Sequence, residues 1–436
     1  MERRDFVKAS AIIGAAAALP RFSYAQVKGS DRIKVGLIGC GGRGTGATCN
    51  MIEADQNVKI VAMADLFADK LPNAKKKIKE FCDKKYKAQS DEIFDPSKVK
   101  TFSGWDCCEQ LLKEDVDLVI EATPPVFRTP HFAQIVAAGK HAFLEKPACV
   151  DITQAREMME LSKKAKEKGM CVVTGNQRRS SAAYQDVIKR IHDGEIGEIL
   201  AAQCYWNGAY YVGGYKGWED LGFDSTEYQI RKWGAFIWTS GDQIVEQHVH
   251  NLDVVMWALG DNRFPVEVRA WGGRSADADL PAPQYGDRFT HCVVDYDFGE
   301  GVRLMSSCSQ ERKTSGEVGE RVIGSKATLV TSGGRCKFVD RKGKTIYVNT
   351  QEIVNPYVAE HKFLLDAIRN GRRVNTMDAL LGSNLIAIAG RMSAFSGKKF
   401  KYGWMLAKSQ ESLAPKEWKF EKRKVSVPVP GKYELV

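Results

Sequence analysis

Downstream of residue 25 the chain has no run that approaches the ~18 consecutive apolar residues of a membrane-crossing helix. None of its eleven cysteines forms a C-x-x-C pair, so zinc-ribbon and thioredoxin-like chemistry drop out. Internal repeats and low-complexity tracts are also missing. The formal charge of +10 comes without any nucleic-acid recognition motif. Much of the excess sits in Lys75–Lys87, where Ile78 and Phe81 interrupt the lysines at helical spacing. That pattern predicts a solvated helix face, so no nucleic-acid partner is expected. The cysteines fall mostly in apolar segments and read as buried free thiols.

The 436 residues, 44% hydrophobic and 27% charged, suffice for two domains with real cores. At the start, Arg3-Arg4-Asp5-Phe6-Val7-Lys8 precedes an apolar segment, Ala9–Pro20, and Ser23-Tyr24-Ala25 ends in small residues. This predicts a twin-arginine signal peptide over 1–25, export to the periplasm, and no other membrane association. Proteins on that route fold before export in a reducing compartment, which is compatible with free thiols.

The most informative segment is Asp31–Gly44, DRIKVGLIGCGGRG. A short apolar run, Ile33, Val35, Leu37 and Ile38, reads as a buried parallel strand. Gly39, Gly41, Gly42, Arg43 and Gly44 follow within a G-x-G-x-x-G pattern. Glycines there permit a tight turn, close approach to a pyrophosphate and tight helix–strand contact. The next helix turns its free N–H groups and positive dipole end to the phosphates. A second strand, Val58–Ala64, ends in Asp65, near the spacing at which an acid binds the adenosine ribose. A carboxylate there favours NAD, with NADP disfavoured because its extra phosphate is repelled.

Strand–helix alternation runs from Ile33 to about Asn176, with Val116–Ala122, His141–Leu144 and Met170–Thr174 as further strands. His131–Ala138 reads as a helix closed by Gly139, and Asp151 or Thr153 caps another that runs to about Lys168. From Gln177 the pattern changes to alternating segments: Ile199–Trp206, Val266–Gly272, Phe289–Phe298, Val302–Ser309, Glu320–Leu329 and Lys344–Val348. Helices are predicted at Asp242–Leu259, Glu360–Asn370 and Asp378–Phe395. The expected fold is an α/β Rossmann doubly wound N-terminal domain plus an α+β C-terminal domain with an open, mostly antiparallel sheet. The boundaries are 26–176 for the first domain, 177–402 for the second, and 403–436 for a tail without clear pattern.

Four motifs in order carry a resemblance to the Gfo/Idh/MocA family. They are the Gly39–Gly44 loop, Glu145-Lys146-Pro147 after a Rossmann strand, Gly175-Asn176-Gln177-Arg178-Arg179 at the domain crossing, and Gly241–Asp253 with its histidine. The resemblance covers roughly residues 33–395. It implies NAD-dependent oxidation of sugars, polyols or their derivatives, and homo-oligomers formed through the second domain's sheet. The family pattern Asp-x-Gly-x-His-x-x-Asp is altered here, with Glu246 for the aspartate and His248 for the glycine.

Hydride transfer from a secondary alcohol needs a base for the hydroxyl proton and a donor for the developing alkoxide. Lys146 follows a parallel strand, at the edge where such sheets bind ligands. It is the first catalytic candidate, and it touches the cofactor as well. On a regular helix Glu246 and His250 share a face. His250 then transfers the proton or orients the substrate, with Glu246 in support. His248 falls on the apolar stripe and reads as a packed histidine. A metal site from Glu246, His248 and His250 requires an irregular first turn; no metal is assigned. Thr123, Pro124 and Glu145 are placed against the cofactor by their positions at strand ends. Arg178 and Asp253 are candidates for substrate contact, and one of Arg178 and Arg179 reads as structural. The aromatic-rich stretch Tyr205–Trp238 supplies Trp206, Tyr211 and Trp233 as substrate platforms, or else an oligomer interface.

A nicotinamide cofactor outside the cytoplasm must be inserted before export and regenerated within each cycle. Coupled oxidation and reduction of two sugars satisfies this. So does an NAD-dependent glycosidase working by transient oxidation, elimination and hydration. A third reading, a secreted sugar-binding protein without catalysis, is disfavoured by the intact loop, Lys146 and His250.

Overall fold

A computed structural model describes residues 31–208, 217–275, 286–311, 313–350 and 354–436. The predicted signal segment and Tyr211 lie outside the described residues. The first unit runs β1 (Ile33–Ile38), α1 (Gly42–Ala54), β2 (Val58–Asp65), α2 (Lys70–Tyr86), β3 (Lys100–Ser103), α3 (Cys107–Leu112), β4 (Leu118–Glu121), α4 (Pro125–Ala138), β5 (His141–Leu144), α5 (Ile152–Glu167) and β6 (Val172–Thr174). Its strands pair in parallel in the order β3-β2-β1-β4-β5-β6. The order reverses beside β1, the switch point outside which such sheets bind ligands. Helix α2 buries Leu71, Ala74, Ile78 and Cys82 and turns its lysines to solvent, as the spacing implies. Asp151 caps α5, accepting from the Gln154 N–H at 2.8 Å.

The second unit contains α6 (Ala182–His192), β7 (Ile199–Gly208), α7 (Thr226–Arg231), α8 (Gln243–Glu246) and α9 (Val249–Leu259). The strands β8 (Glu267–Gly273), β9 (His291–Asp297), β10 (Arg303–Gln310), β11 (Glu317–Gly324), β12 (Thr328–Ser332), β13 (Arg335–Val339) and β14 (Thr345–Val348) follow. Then come α10 (Pro356–Arg369), α11 (Met377–Ser396), β15 (Phe400–Lys401) and α12 (Tyr402–Lys408). The sheet order is β14-β13-β12-β11-β7-β10-β9-β8-β15, antiparallel except where β7 meets β10. The expected α/β-plus-α+β architecture is the observed one. Three details differ. The predicted strand Glu320–Leu329 is two strands of a hairpin, β11 and β12, joined through Ser325 and Lys326, whose N–H groups bond back to Glu198 and Ile196. The predicted helix Asp242–Leu259 is broken into α8 and α9. The third is the division at 176/177, because the chain returns to the first unit: α10 inserts Leu364, Leu365, Ala367 and Ile368 into the core beneath β1 and β5.

Helix α11 explains how the units are held. Nearly every residue on it is buried, and its mix of Ala, Gly, Ser, Leu and Ile is apolar all round. It packs between α5 and strands β8 and β9, and Tyr296 Oη donates to its Ile386 carbonyl at 2.8 Å.

His361, on α10, is fully buried, lies tilted against Phe143 with ring centroids 4.1 Å apart, and has no hydrogen-bond partner on either ring nitrogen among the described residues. Burial, aided by the Arg43 charge, lowers its pKa from 6.5 to about 3. The folded protein therefore resists protonating it, whereas the unfolded chain takes up the proton below about pH 6.5. Stability from this residue is complete above that pH and is lost as pH falls toward 3. His361→Phe is expected to be neutral near pH 7.5 and to stabilise by about 2 kcal/mol at pH 5. Melting temperatures at the two pH values check this. Equal pH dependence in variant and wild type would contradict it.

Candidate active site

Strand β1 is followed by Gly39, whose φ of +93° suits glycine and whose added Cβ would meet the Ala122 and Thr123 backbone at 2.7 Å. At Gly44 a Cβ would lie 1.8 Å from the Gly39 carbonyl oxygen, so α1 packs directly on the loop. At Gly41 and Gly42 an added Cβ would meet nothing within 4 Å, so both face open space. No side chain among the described residues caps α1, so its first N–H groups are free for an anion. Asp65, at the end of β2, accepts from the Cys40 N–H (2.7 Å) and the Phe67 N–H (2.9 Å). Burial raises its carboxyl pKa, and the two amides oppose that. A cavity of about 410 Å³ runs from this loop past Asp65, Trp105, Thr123 and His131 to Trp418. This cradle fits a dinucleotide: bare glycines at the phosphates, a carboxylate at the ribose, and a helix N-terminus between them.

Thr123 and Pro124 line the cavity. Their turn is fixed from below by the fully buried Glu121, which accepts from the Thr123 N–H at 3.2 Å and from Arg128 Nε at 2.7 Å. Arg43 also lines the cavity, but its guanidinium turns aside, 4.8 Å over the Tyr357 ring, with Nε donating to Glu145 Oε1 at 2.6 Å. Glu145 is buried and packs against Gly175, where a Cβ would lie 2.7 Å from Oε2. Its carboxylate thus positions Arg43 instead of lining the cavity.

Lys146 follows Glu145 and is joined to Pro147 by a cis peptide bond. Its Nζ donates to the backbone carbonyl of Glu246 and lies 3.4 Å from Glu246 Oε1. This contact accounts for the broken helix. In a continuous helix the Glu246 carbonyl would accept from the His250 N–H. Here that N–H turns to the Gln247 carbonyl at 3.4 Å, and the Glu246 carbonyl is given to the lysine. Glu246 thus meets Lys146 at a kink and not along a regular helix, and His250 lies within reach of the lysine's charge.

Glu246 is buried, and its Oε2 has no partner among the described residues. His250 is also buried, with its ring 6.0 Å from Trp206. Burial lowers its pKa well below 6.5, and the Lys146 and Arg178 charges lower it further. The imidazole is therefore neutral at physiological pH. His248 points the other way, into the sheet, with Nε2 2.7 Å from Ser306 Oγ and 3.5 Å from Cys204 Sγ. It is the packed histidine that the apolar stripe predicts. The Glu246/His248/His250 metal alternative is overturned for the same reason, and no metal-binding cluster occurs among the described residues.

Arg178 pairs with buried Glu320 and donates to the His250 carbonyl at 3.3 Å, with Trp206 5.8 Å from its guanidinium. Glu320 is held in turn by Asn251 and Thr331. Arg179 is structural: it chelates Asp253 (2.9 and 3.0 Å) and Asp261 (2.7 and 3.0 Å). Asp253, expected at the substrate, lies beneath the site, since Asn176 and Ser383 occupy it as well. Trp233 is on the dinucleotide cavity and not on the Lys146 side. Sequence reasoning missed Trp105, His131, Arg231 and Trp418 as cavity walls. Trp105, just after β3, could have been found by its place at a parallel strand's carboxyl end; nothing in the tail marks Trp418.

Residues 33–175 match the model of the GFO_IDH_MocA oxidoreductase family, NAD-binding Rossmann fold, and form such a domain. A glycosyl hydrolase family 109 protein of Solibacter usitatus is 31% identical over 215 residues, 47% of this chain and 45% of that one. The scyllo-inositol 2-dehydrogenase (NAD(+)) of Bacillus subtilis is 24% identical over 282 residues, 63% of this chain and 74% of that one. Among other family 109 proteins that match, the chain spans 34% to 45% of their length. The crystal structure of scyllo-inositol dehydrogenase from Lactobacillus casei, with bound NAD(H) and scyllo-inositol, superimposes with a TM-score of 0.63 at 18% identity, covering 86% of this chain and 100% of that one. This last likeness is one of fold.

Proposed function

We propose that the whole chain is an NAD-dependent oxidoreductase of the Gfo/Idh/MocA family that acts on a CH–OH group of a sugar, polyol or glycoside. One observation carries the reading: Lys146 from the first unit, one residue beyond the Glu145 that positions Arg43 of the dinucleotide cavity, reaches Glu246 of the second unit, and its charge acts on buried His250. Bound NAD would accept the hydride from the substrate carbon. Gly41, Gly42 and the α1 terminus hold its pyrophosphate, and Asp65 holds the adenosine ribose. Lys146 donates to the reacting hydroxyl oxygen, neutral His250 takes its proton, and the unpartnered Glu246 Oε2 accepts from a neighbouring hydroxyl. The lysine and glutamate charges offset each other, which suits an uncharged polyol. The inositol dehydrogenase relative supports this substrate class.

The enzyme keeps its dinucleotide through many turnovers and is exported by the twin-arginine route, as the N-terminal pattern suggests. It pairs with a second copy through the outer sheet face, where Trp271, Val293 and Met305 are exposed. The family 109 relatives favour a second reading, a redox-neutral glycosidase that oxidises, eliminates, hydrates and returns the hydride. Denaturing the purified exported protein is expected to release NAD. Chromogenic glycosides and polyol–keto-sugar pairs are then assayed without added NAD. Reduction of the keto-sugar supports the oxidoreductase and aglycone release supports the glycosidase. Absence of both bound cofactor and turnover rejects the reading.

A further inference from the structure

The dinucleotide cavity has a wall that no βαβ unit supplies. It comes from the last residues of the chain. Trp418 lines the cavity, its ring 4.8 Å from Phe127 and 6.3 Å from Trp105. Phe420, two residues on, lies 4.9 Å from Trp105 and stacks at 6.1 Å on Phe67. Phe67 follows β2 and Trp105 follows β3, so with Phe420 they gather beyond Asp65, and Trp418 joins them to Phe127 after β4. An adenine whose ribose is held by Asp65 extends in that direction.

The segment carrying Trp418 is pinned at both ends, and to different units. Before it, the Asp151 carboxylate at the start of α5 accepts from the Leu413 N–H at 2.7 Å, and Thr153 Oγ1 donates to the Glu411 carbonyl at 2.8 Å. After it, the Thr226 N–H donates to the Glu421 carbonyl (2.9 Å), the Arg423 N–H to the Asp224 carbonyl (2.7 Å), and Gln229 Nε2 to the Arg423 carbonyl (2.9 Å). Arg231 of α7 closes the far side. Its guanidinium sits 3.7 Å over the Phe67 ring and is tied to Asp69 and Glu227.

We propose that residues 412–420 form a strap across the cleft, with Trp418 stacking on the adenine of NAD, and that the dinucleotide leaves only when this strap lifts. The proposal rests on the NAD reading and adds its retaining element. A purine has a flat π face, and an aromatic side chain against it is worth enough to change release rates severalfold to a hundredfold. Both anchors must open before the base can slide out, so release is coupled to a local unfolding of the tail.

The test measures NAD dissociation from the intact full-length protein, by chase with excess fluorescent NAD analogue. Trp418→Ala is expected to release NAD about tenfold faster or more, and Trp418→Phe, which keeps a ring, by an intermediate factor. Ile346→Ala, at an exposed position on β14, is expected to match wild type. If Trp418→Ala fails to fold, Trp418→Leu, bulky but without a π face, replaces it with the same expectation. A Trp418 variant that binds NAD and releases it within about twofold of wild type overturns the strap and leaves the NAD reading standing. A wild-type protein that neither carries nor takes up NAD overturns both.

Discussion

Lys146→Ala is expected to lower turnover by roughly 10³-fold or more while the protein still carries NAD. Lys146 touches both halves of the site, through the Glu246 carbonyl and carboxylate. Without its ammonium, the reacting oxygen loses its cationic donor. Neutral His250 keeps one ring N–H but brings no positive charge, because burial lowers its pKa. The proposed holders of the dinucleotide, the α1 terminus, Asp65 and the aromatic wall, line a cavity that Lys146 does not line. Turnover and bound NAD should therefore separate. Unchanged turnover would remove Lys146 from the chemistry. Joint loss of turnover and NAD would make it a strut of the cleft.

The parts of the site that were legible in the sequence are those set by neighbours in the chain. The β1–loop–α1 unit, the lysine-bearing face of α2, the Asp151 cap and the motif after β5 are each decided within a few residues. The helix break at Gln247 is different. It depends on a hydrogen bond from Lys146, a residue in the other unit, and no periodicity of Asp242–Leu259 encodes it. Asp253 misled for a related reason: it shares the helical face of His250, but Arg179 and Asn176 reach it first. The tail is the extreme case. Apart from α12 it forms no regular element with a period; its place is set by single carbonyls, amides and rings spread over five distant segments. Alternation and capping rules cannot register contacts of that kind.

Glu411→Gln should cost about 3–5 kcal/mol of stability, far more than any exposed ion pair in the chain. Glu411 and Arg391 are both almost wholly buried and pair directly. Arg391 also donates to the carbonyls of Val150 and Gly241, so one guanidinium ties α11 to the loop after Pro147, to the approach to α8, and to the tail. Burial raises the Glu411 carboxyl, and Arg391 pulls it back down. Tyr433 Oη donates to Glu411 at 2.9 Å. The amide keeps the shape but removes the charge, leaving the buried guanidinium without its directly paired carboxylate. By contrast, Lys166 and Asp378 are 44% and 64% exposed, and Asp378→Asn should cost about 1 kcal/mol or less. Chemical denaturation of both variants beside wild type checks the pair. If Glu411→Gln falls within about 1 kcal/mol of Asp378→Asn, the buried pair is not what fastens the tail. If the large cost is found, faster NAD release in Glu411→Gln should accompany it, because the strap's first anchor lies at this residue's own carbonyl and at Leu413.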